Sequence, residues 1–281
     1  MYLDHFGLNE APFGITPDTG FTYAAPSHNE GLATLLLALR SGEGFVKVTG
    51  EVGTGKTLLC RTLLDALQAE AVTAYVPNPK LTPREMLRVL AGELDLRFNR
   101  RSASRDIYEV VEAALVALAE QGRPVVLCID EAQAMPVETL EALRLLSNIE
   151  TEKRKLLQIV MFGQPELDTL LLAPECRSLV SRIAFSARLG PLSRTDFTRY
   201  LRHRLLVAGW RGPDVFSPLA RAALWWGSGG VPRRANIVAH KGLMLAFGEG
   251  LHRVGLRHAI GALRDGRLQR PARGLRMRTF P

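Results

Sequence analysis

The sequence lacks the features of a membrane-spanning protein, of a secreted protein and of a protein stabilised by a structural metal site. Of its 281 residues 47% are hydrophobic, yet they form no apolar run of about 18 residues, which a helix needs to cross a bilayer. Its first residues show no basic segment followed by an apolar one, so we expect no signal peptide and a cytoplasmic location. Three cysteines (positions 60, 128 and 176) and six histidines are scattered without metal-ligand spacing. We therefore expect neither disulfides nor a zinc site.

Positive charge is concentrated at the C-terminal end of the sequence. The formal net charge is +8, and residues 251–281 contain eight arginines against one acidic residue, Asp265. The rest of the chain is therefore close to neutral. A chain end of this kind is either a solvated tail or a segment that binds anions, such as DNA phosphates, acidic proteins or anionic lipid headgroups. The sequence leaves both interpretations open.

One segment matches a phosphate-binding loop in full. Residues 50–57 read Gly-Glu-Val-Gly-Thr-Gly-Lys-Thr, between a predicted strand at 45–49 and an apolar helical pattern. Glycines let successive N–H groups point at phosphate oxygens, and the helix presents its positive N-terminal end to the same anion. Lys56 can reach the β- and γ-phosphates, and the Thr57 hydroxyl can bind Mg²⁺. A chance glycine-rich turn does not explain this order of elements. The predicted nucleotide contacts are Gly50, Glu51, Val52, Gly53, Thr54, Gly55, Lys56, Thr57 and Leu58.

Two carboxylates follow a second predicted strand. Residues 125–129 are an unbroken apolar run, typical of a strand buried on both faces, and Asp130 and Glu131 come directly after it. At the carboxyl end of a parallel strand, Asp130 can hold magnesium, while Glu131 can polarise the water that attacks the γ-phosphate. The alternative is an acidic pair that opens the next helix. Together with the phosphate-binding loop, the pair favours a magnesium-dependent ATPase.

Strand and helix patterns alternate up to about residue 190, and only helical patterns follow. Further strands are predicted at 72–76 and 156–162, and a capping box at 82–85 opens a helix. Alternation of this kind implies right-handed crossovers and a parallel sheet. The fold class is therefore α/β, a P-loop NTPase sheet flanked by helices. We predict an αβ nucleotide-binding domain over 1–190 with an N-terminal segment 1–44, an all-helical lid domain over 191–263, and a basic tail over 264–281.

The motifs in their order resemble the AAA+ ATPases over nearly the whole chain. Among these the chain is most similar to the ExeA/GspA-type group, which includes MSHA pilus biogenesis ATPases. Longer, secretion-type members resemble it in the ATPase part, and transposition-targeting ATPases share the same core. The matching segments are Phe6-Gly-Leu, Pro12-Phe13, Pro17-Asp18, His28-Asn-Glu30, residues 50–57, residues 130–133, Phe162-Gly-Gln-Pro-Glu-Leu167, residues 182–189 and Gly230-Val-Pro-Arg233.

The resemblance implies ATP and Mg²⁺ as ligands and adds three site residues. Gln164 matches the sensor-1 position, where a polar side chain touches the γ-phosphate or the attacking water; a turn residue before a proline is the alternative. Arg182 matches the region of the arginine finger, which acts on the nucleotide of a neighbouring subunit, and Arg177 is its rival. Arg233 matches sensor 2 at the start of a lid helix, with Arg234 as a substitute. A homo-oligomer, a ring or a dimer, is thereby implied.

Two further roles come from the same resemblance. Asn78 resembles a polar switch that hydrogen-bonds the catalytic glutamate, although an Asn-Pro turn explains it equally well. Phe6, Pro12 and Phe13 lie where the family places its adenine-binding wall, and packing in the core is the alternative for each.

The function we expect is ATP hydrolysis coupled to assembly of a pilus or type II secretion-like machine at the inner membrane. Inner-membrane pilus or secretion components would then be partners, with the protein cytoplasmic or peripheral at that membrane. One alternative is a DNA-binding regulator of the transposition-targeting kind, with the arginine-rich end on phosphates. Another is an ATP-gated scaffold with very slow hydrolysis.

Overall fold

A computed structural model describes residues 2–16, 18–98, 103–150 and 155–265. The chain divides into two compact units: residues 26–190 form one, and residues up to 25 join those from 191 onward in the other. The division after residue 190 is the expected one, but the first 25 residues belong to the helical unit and not to the αβ unit. None of the described helices is long and apolar enough to cross a membrane.

The elements follow the predicted αβ order. The strands are β1 (Phe45–Gly50), β2 (Val72–Val76), β3 (Val125–Ile129), β4 (Leu157–Gly163) and β5 (Ile183–Leu189). The helices are α1 (Tyr2–Phe6), α2 (Pro26–Arg40), α3 (Lys56–Leu67), α4 (Pro83–Glu93), α5 (Ser104–Glu120), α6 (Val137–Leu146), α7 (Glu166–Leu171), α8 (Arg177–Val180), α9 (Arg194–Val207), α10 (Pro218–Ser228), α11 (Pro232–Gly248) and α12 (Leu256–Asp265). The four predicted strands are confirmed to within one residue at each end, whereas β5 carries no apolar run that would predict it.

The strands of the αβ unit form one parallel five-stranded sheet in the order β2-β3-β4-β1-β5. Buried side chains lie on both faces of the central strands β3 and β4, which explains their unbroken apolar sequences. β5 alternates between half-buried and exposed residues because it lies at the edge of the sheet.

Helices cover both faces of the sheet. Successive side chains of a strand point to opposite faces, so Val126 packs with α2 and α3, whereas its neighbour Leu127 packs with α4, α5 and α6. The parallel αβα architecture predicted from the alternation of elements is confirmed. The one polar side chain buried in β4, Gln158, donates hydrogen bonds to the carbonyls of Leu39 (2.7 Å) and Glu43 (3.1 Å).

The strand order brings three distant segments to one edge of the sheet. In a parallel sheet all carboxyl ends share an edge, and loops at this edge form ligand sites where the strand order reverses. The phosphate-binding loop follows β1, the two carboxylates follow β3, and Gln164 follows β4. Because β4 lies between β1 and β3, Gln164 lies between the loop and the carboxylates.

Side chains of the helical unit hold the N-terminal segment by its backbone. The buried Arg204 donates from Nε to the carbonyl of Pro12 (2.5 Å), and its guanidinium carbon lies 4.4 Å from the ring centroid of Phe21. Asn236 donates from Nδ2 to the carbonyl of Gly14 (2.8 Å). These contacts give hydrogen-bond partners to two backbone carbonyls of the segment. They explain why the segment belongs to this unit.

The N-terminal aromatic residues pack in the hydrophobic core of the helical unit. Phe6 is fully buried and Phe13 is 3% exposed, in a cluster with residues of α9 to α12. Pro12 is buried as well. Core packing, and not an exposed wall for the adenine ring, is therefore what the structure shows for these three residues.

The predicted basic tail, 264–281, lies almost entirely outside the described residues. Its first two residues, Arg264 and Asp265, still belong to α12, and Asp265 accepts a hydrogen bond from Lys241 (2.5 Å). The helical part of this unit therefore extends two residues beyond the predicted boundary at 263.

Candidate nucleotide-binding site

Glycine is required at several positions of the phosphate-binding loop, because of the backbone conformation or of close packing. Gly53 and Gly55 have φ angles of +82° and +101°, which L residues with a side chain rarely adopt. A Cβ on Gly50 would lie 2.8 Å from the carbonyl oxygen of Leu189 on β5, and one on Gly55 would lie 2.5 Å from Nε2 of His28. β5 and α2 thus pack closely against the loop at Gly50 and Gly55. Gly55 directly precedes the N-terminus of α3. This geometry suits a bound phosphate group.

Lys56 places its positive charge at the loop. Its Nζ donates to the carbonyls of Gly50 (2.8 Å) and Glu51 (3.1 Å), and the side chain is buried. Burial lowers the pKa of Lys56, and the charges of Glu131 and Asp130 act in the opposite direction. An ammonium that is partly stripped of water interacts strongly with an anion.

The two predicted magnesium ligands are in direct contact. Oγ1 of Thr57 donates to Oδ2 of Asp130 at 2.6 Å, and Oδ1 of Asp130 accepts from the backbone N–H of Glu131 at 2.9 Å. Asp130 is 4% exposed. Burial raises the pKa of Tyr75 to about 12, with a further contribution from the Asp130 carboxylate. A hydroxyl and a carboxylate oxygen are the hard oxygen ligands that magnesium prefers, so this pair fits the ion.

Glu131 is held by two glutamine side chains. Its Oε2 accepts from Nε2 of Gln133 at 2.6 Å and from Nε2 of Gln164 at 3.0 Å. Glu131 also has a left-handed backbone, with φ 50° and ψ 37°. Burial raises the pKa of the Glu131 carboxyl, but the hydrogen bonds from Gln164 and Gln133 and the charge of Lys56 more than offset this, so the pKa is lowered. The group is therefore a carboxylate at neutral pH.

The structure places the three predicted arginines on other segments of the chain. Arg182 precedes β5, and its Nη1 donates to Oδ1 of Asn148 at 2.5 Å. Because β5 runs parallel to β1, Arg182 lies at the amino edge of the sheet, opposite the phosphate-binding loop. Arg177 begins α8 and is exposed. Arg233 is exposed in the first turn of α11, in the helical unit.

Asn78 forms a turn. Its Oδ1 accepts from the backbone N–H of Lys80 at 3.4 Å, and the side chain is exposed. Of the two interpretations open from the sequence, the Asn-Pro turn describes this contact. Among the described residues, the side chains that hydrogen-bond the Glu131 carboxylate are Gln133 and Gln164.

Sequence reasoning assigned no role to Gln133 or to His28. The His28 imidazole contacts the phosphate-binding loop through the backbone of Thr54, and burial lowers its pKa, so the ring is neutral. Both residues lie in segments that carry the family resemblance, which was the available signal. The contact of Gln133 with Gln164 and that of His28 with Thr54 join positions far apart in the chain and could not be derived from local spacing.

A family model described as an AAA domain matches residues 39–171. General secretion pathway protein A of Aeromonas hydrophila is 42% identical over 254 residues, which cover 90% of this chain and 46% of that protein. The chain belongs to the ExeA/GspA-type family of AAA+ ATPases. It spans about half the length of this relative.

Solved structures of AAA+ proteins have the same fold. Cdc6p from Pyrobaculum aerophilum is similar with a TM-score of 0.64 at 19% identity, over 85% of this chain and 68% of that one. ORC1 from Aeropyrum pernix, in complex with DNA, has a TM-score of 0.64 at 20% identity, over 91% and 69% of the two chains. The RuvB branch migration motor of Thermotoga maritima has a TM-score of 0.59 at 16% identity, over 88% and 73%. At these identities the similarity shows the fold alone.

Proposed function

We propose that this protein binds ATP with Mg²⁺ and hydrolyses it. The observation that carries the proposal is the 2.6 Å contact between Thr57 and Asp130, beside a Glu131 carboxylate held by two amides. The phosphate-binding loop thus brings together one pair of hard oxygen ligands, one oriented carboxylate and one buried lysine. Magnesium, when bound, supplies positive charge to the phosphate oxygens.

Each residue has a defined task in this proposal. The backbone of residues 50–55 and the N-terminus of α3 bind the phosphates, and Lys56 adds charge to the β- and γ-phosphates. Thr57 and Asp130 hold the metal ion. Glu131 orients the attacking water and accepts its proton, while Gln164 contacts the γ-phosphate or that water.

Hydrolysis would require a second subunit. Arg182 lies at the edge of the sheet opposite the loop, about 20 Å away at a rise of ~3.3 Å per residue along β5. Too far from its own phosphate site, Arg182 would serve the nucleotide of a neighbouring copy. Arg233, in the first turn of α11, stays a predicted nucleotide contact.

The proposed pathway is supported by the name of the relative. We propose that nucleotide turnover drives assembly of a pilus or a type II secretion-like machine, with components at the inner membrane as partners. The 42% identity to a protein named General secretion pathway protein A supports this assignment. The eight arginines of residues 251–281 support the alternative, a DNA transaction.

Steady-state ATP turnover tests the activity. Glu131→Gln should retain ATP binding but hydrolyse at least about a hundredfold more slowly, because the water loses its base. Lys56→Ala should instead weaken ATP binding itself. Glu138→Gln, which changes an exposed residue of α6 close by in sequence, is the control and should behave as the wild type. Equal turnover in the Glu131→Gln variant and the wild type would refute the assignment.

A further inference from the structure

Glu131 is connected to Gln164 through a side chain that has no assigned role, Gln133. We infer that Gln133 is a positioning residue that fixes the Glu131 carboxylate and couples it to Gln164. This inference rests on the proposed function, because it concerns how the base of ATP hydrolysis is held.

Three hydrogen bonds close the cluster. Nε2 of Gln133 donates to Oε2 of Glu131 at 2.6 Å, and Oε1 of Gln133 accepts from the backbone N–H of Gln164 at 2.9 Å. Nε2 of Gln164 donates to the same Glu131 oxygen at 3.0 Å. Both polar ends of the Gln133 amide are therefore used, and they connect the segment after β3 to the segment after β4.

The pattern of acceptors orients the carboxylate. Both amides donate to Oε2. Among the residues that the structure describes, none donates a hydrogen bond to Oε1. A carboxylate fixed through one oxygen presents the other in a defined direction. Oε1 is therefore the oxygen available to the attacking water, and Gln133 and Gln164 together determine where it lies.

The backbone on both sides is shaped for this contact. Glu131 adopts the left-handed conformation, which is uncommon for a residue with a side chain, and a 3-10 turn over Ala132–Ala134 follows directly. A Cβ on Gly163 would lie 3.3 Å from Oε1 of Gln133 and 2.7 Å from Cδ2 of Leu167. The absence of a side chain at Gly163 thus leaves room for the Gln133 amide beside the backbone of Gln164.

Such an arrangement makes the position of Glu131 depend on Gln164. The backbone and the side chain of Gln164 both reach Glu131, one through Gln133 and the other directly. A shift of Gln164 in response to a γ-phosphate would therefore move the base as well. Displacement of a reacting group by about 1 Å can reduce a rate about a hundredfold, so this control would act on kcat.

Two variants of similar volume remove either the amide donor alone or both polar ends of the side chain. Gln133→Glu keeps an oxygen but replaces the amide donor with a second carboxylate beside Glu131. Gln133→Met keeps the length and loses both polar ends. We expect each to lower kcat at least about tenfold while the Kd for ATP, measured with a fluorescent ATP analogue, stays within about twofold. Gln121→Ala, an exposed glutamine at the end of α5, is the control and should leave both values unchanged.

A double-mutant comparison tests the coupling. If Gln133 and Gln164 hold one oxygen together, the combined loss of kcat in Gln133→Met/Gln164→Met should differ from the product of the single losses. Wild-type turnover that depends on Glu131, with kcat unchanged in both Gln133 variants, would overturn the inference and leave the proposed function standing. An equal loss of ATP affinity and kcat would overturn it as well. If turnover in the wild type does not depend on Glu131, the proposed function itself fails.

Discussion

Thr57 and Asp130 lie 73 positions apart in the sequence, and the Oγ1 of the first donates to the Oδ2 of the second at 2.6 Å. Each residue stands at the carboxyl edge of the sheet, one in the first turn of α3 and the other directly after β3. The contact brings together two oxygen groups of different character, a hydroxyl and a carboxylate. It is the point at which the phosphate-binding loop meets the two carboxylates that follow β3.

Removing the charge of this pair should weaken magnesium binding. We expect Asp130→Asn to raise the Mg²⁺ concentration for half-maximal ATP turnover at least about tenfold, because a neutral amide oxygen is a weaker ligand than a carboxylate. A magnesium titration at saturating ATP measures this. Asp65→Asn changes an exposed residue of α3 and should leave the titration unchanged. A curve for Asp130→Asn that overlays the wild type would remove Asp130 from the metal site.

Gly55 is a loop position at which a side chain would be strained, because its φ angle is +101° and His28 lies close by. We expect Gly55→Ala to reduce ATP affinity at least about tenfold, because the left-handed backbone costs a residue with a Cβ roughly 1–2 kcal/mol and the new methyl group would meet His28. Gly92→Ala is the control, since a Cβ at this helical position in α4 meets no atom within 4 Å. If His28→Ala restores binding in the Gly55→Ala protein, the contact causes the loss; otherwise backbone strain does. Wild-type affinity of Gly55→Ala would contradict both explanations.

Arg182 should act between subunits. We expect Arg182→Ala to bind ATP normally and to hydrolyse it at least about a hundredfold more slowly. Mixing it with Lys56→Ala should restore part of the activity, because one protomer then supplies the arginine and the other an intact phosphate site. Turnover of mixtures with confirmed co-assembly is the measurement. Inactive mixtures would indicate that Arg182 has a structural role through its bond to Asn148, and would direct the same test to Arg177.

The arginine-rich end should bind anions without affecting nucleotide binding. Residues 266–281 contain five of the eight arginines of the last 31 residues. We expect their removal to leave ATP affinity unchanged and to weaken binding to DNA or to anionic vesicles, with binding of the full chain falling steeply as salt rises. Salt titrations of both proteins against both surfaces distinguish the two ligands. If the full chain binds neither surface at low salt, the segment is a solvated tail.

Much of the αβ unit could be predicted from local sequence. The apolar runs of β3 and β4 predicted buried strands because both faces of a central parallel strand are covered. The capping box of Thr82 and Glu85 predicted the start of α4, and both of its hydrogen bonds are present. The edge strand β5 could not be predicted from an apolar run, because its residues alternate between half-buried and exposed positions, which is the pattern of a half-buried strand.

What the sequence by itself determined is the set of chemical groups: a loop of glycines for the phosphates, a lysine, a hydroxyl and two carboxylates in a recognisable order. The spacing of these groups within each motif follows from backbone conformations that involve only a few consecutive residues. Only the tertiary structure decided which groups meet. The order β3-β4-β1 places Gln164 beside Glu131 and gives Gln133 a second partner. The burial of Phe6 and Phe13 among the C-terminal helices was decided in the same way, since an apolar residue specifies that it will be buried but not against which partner.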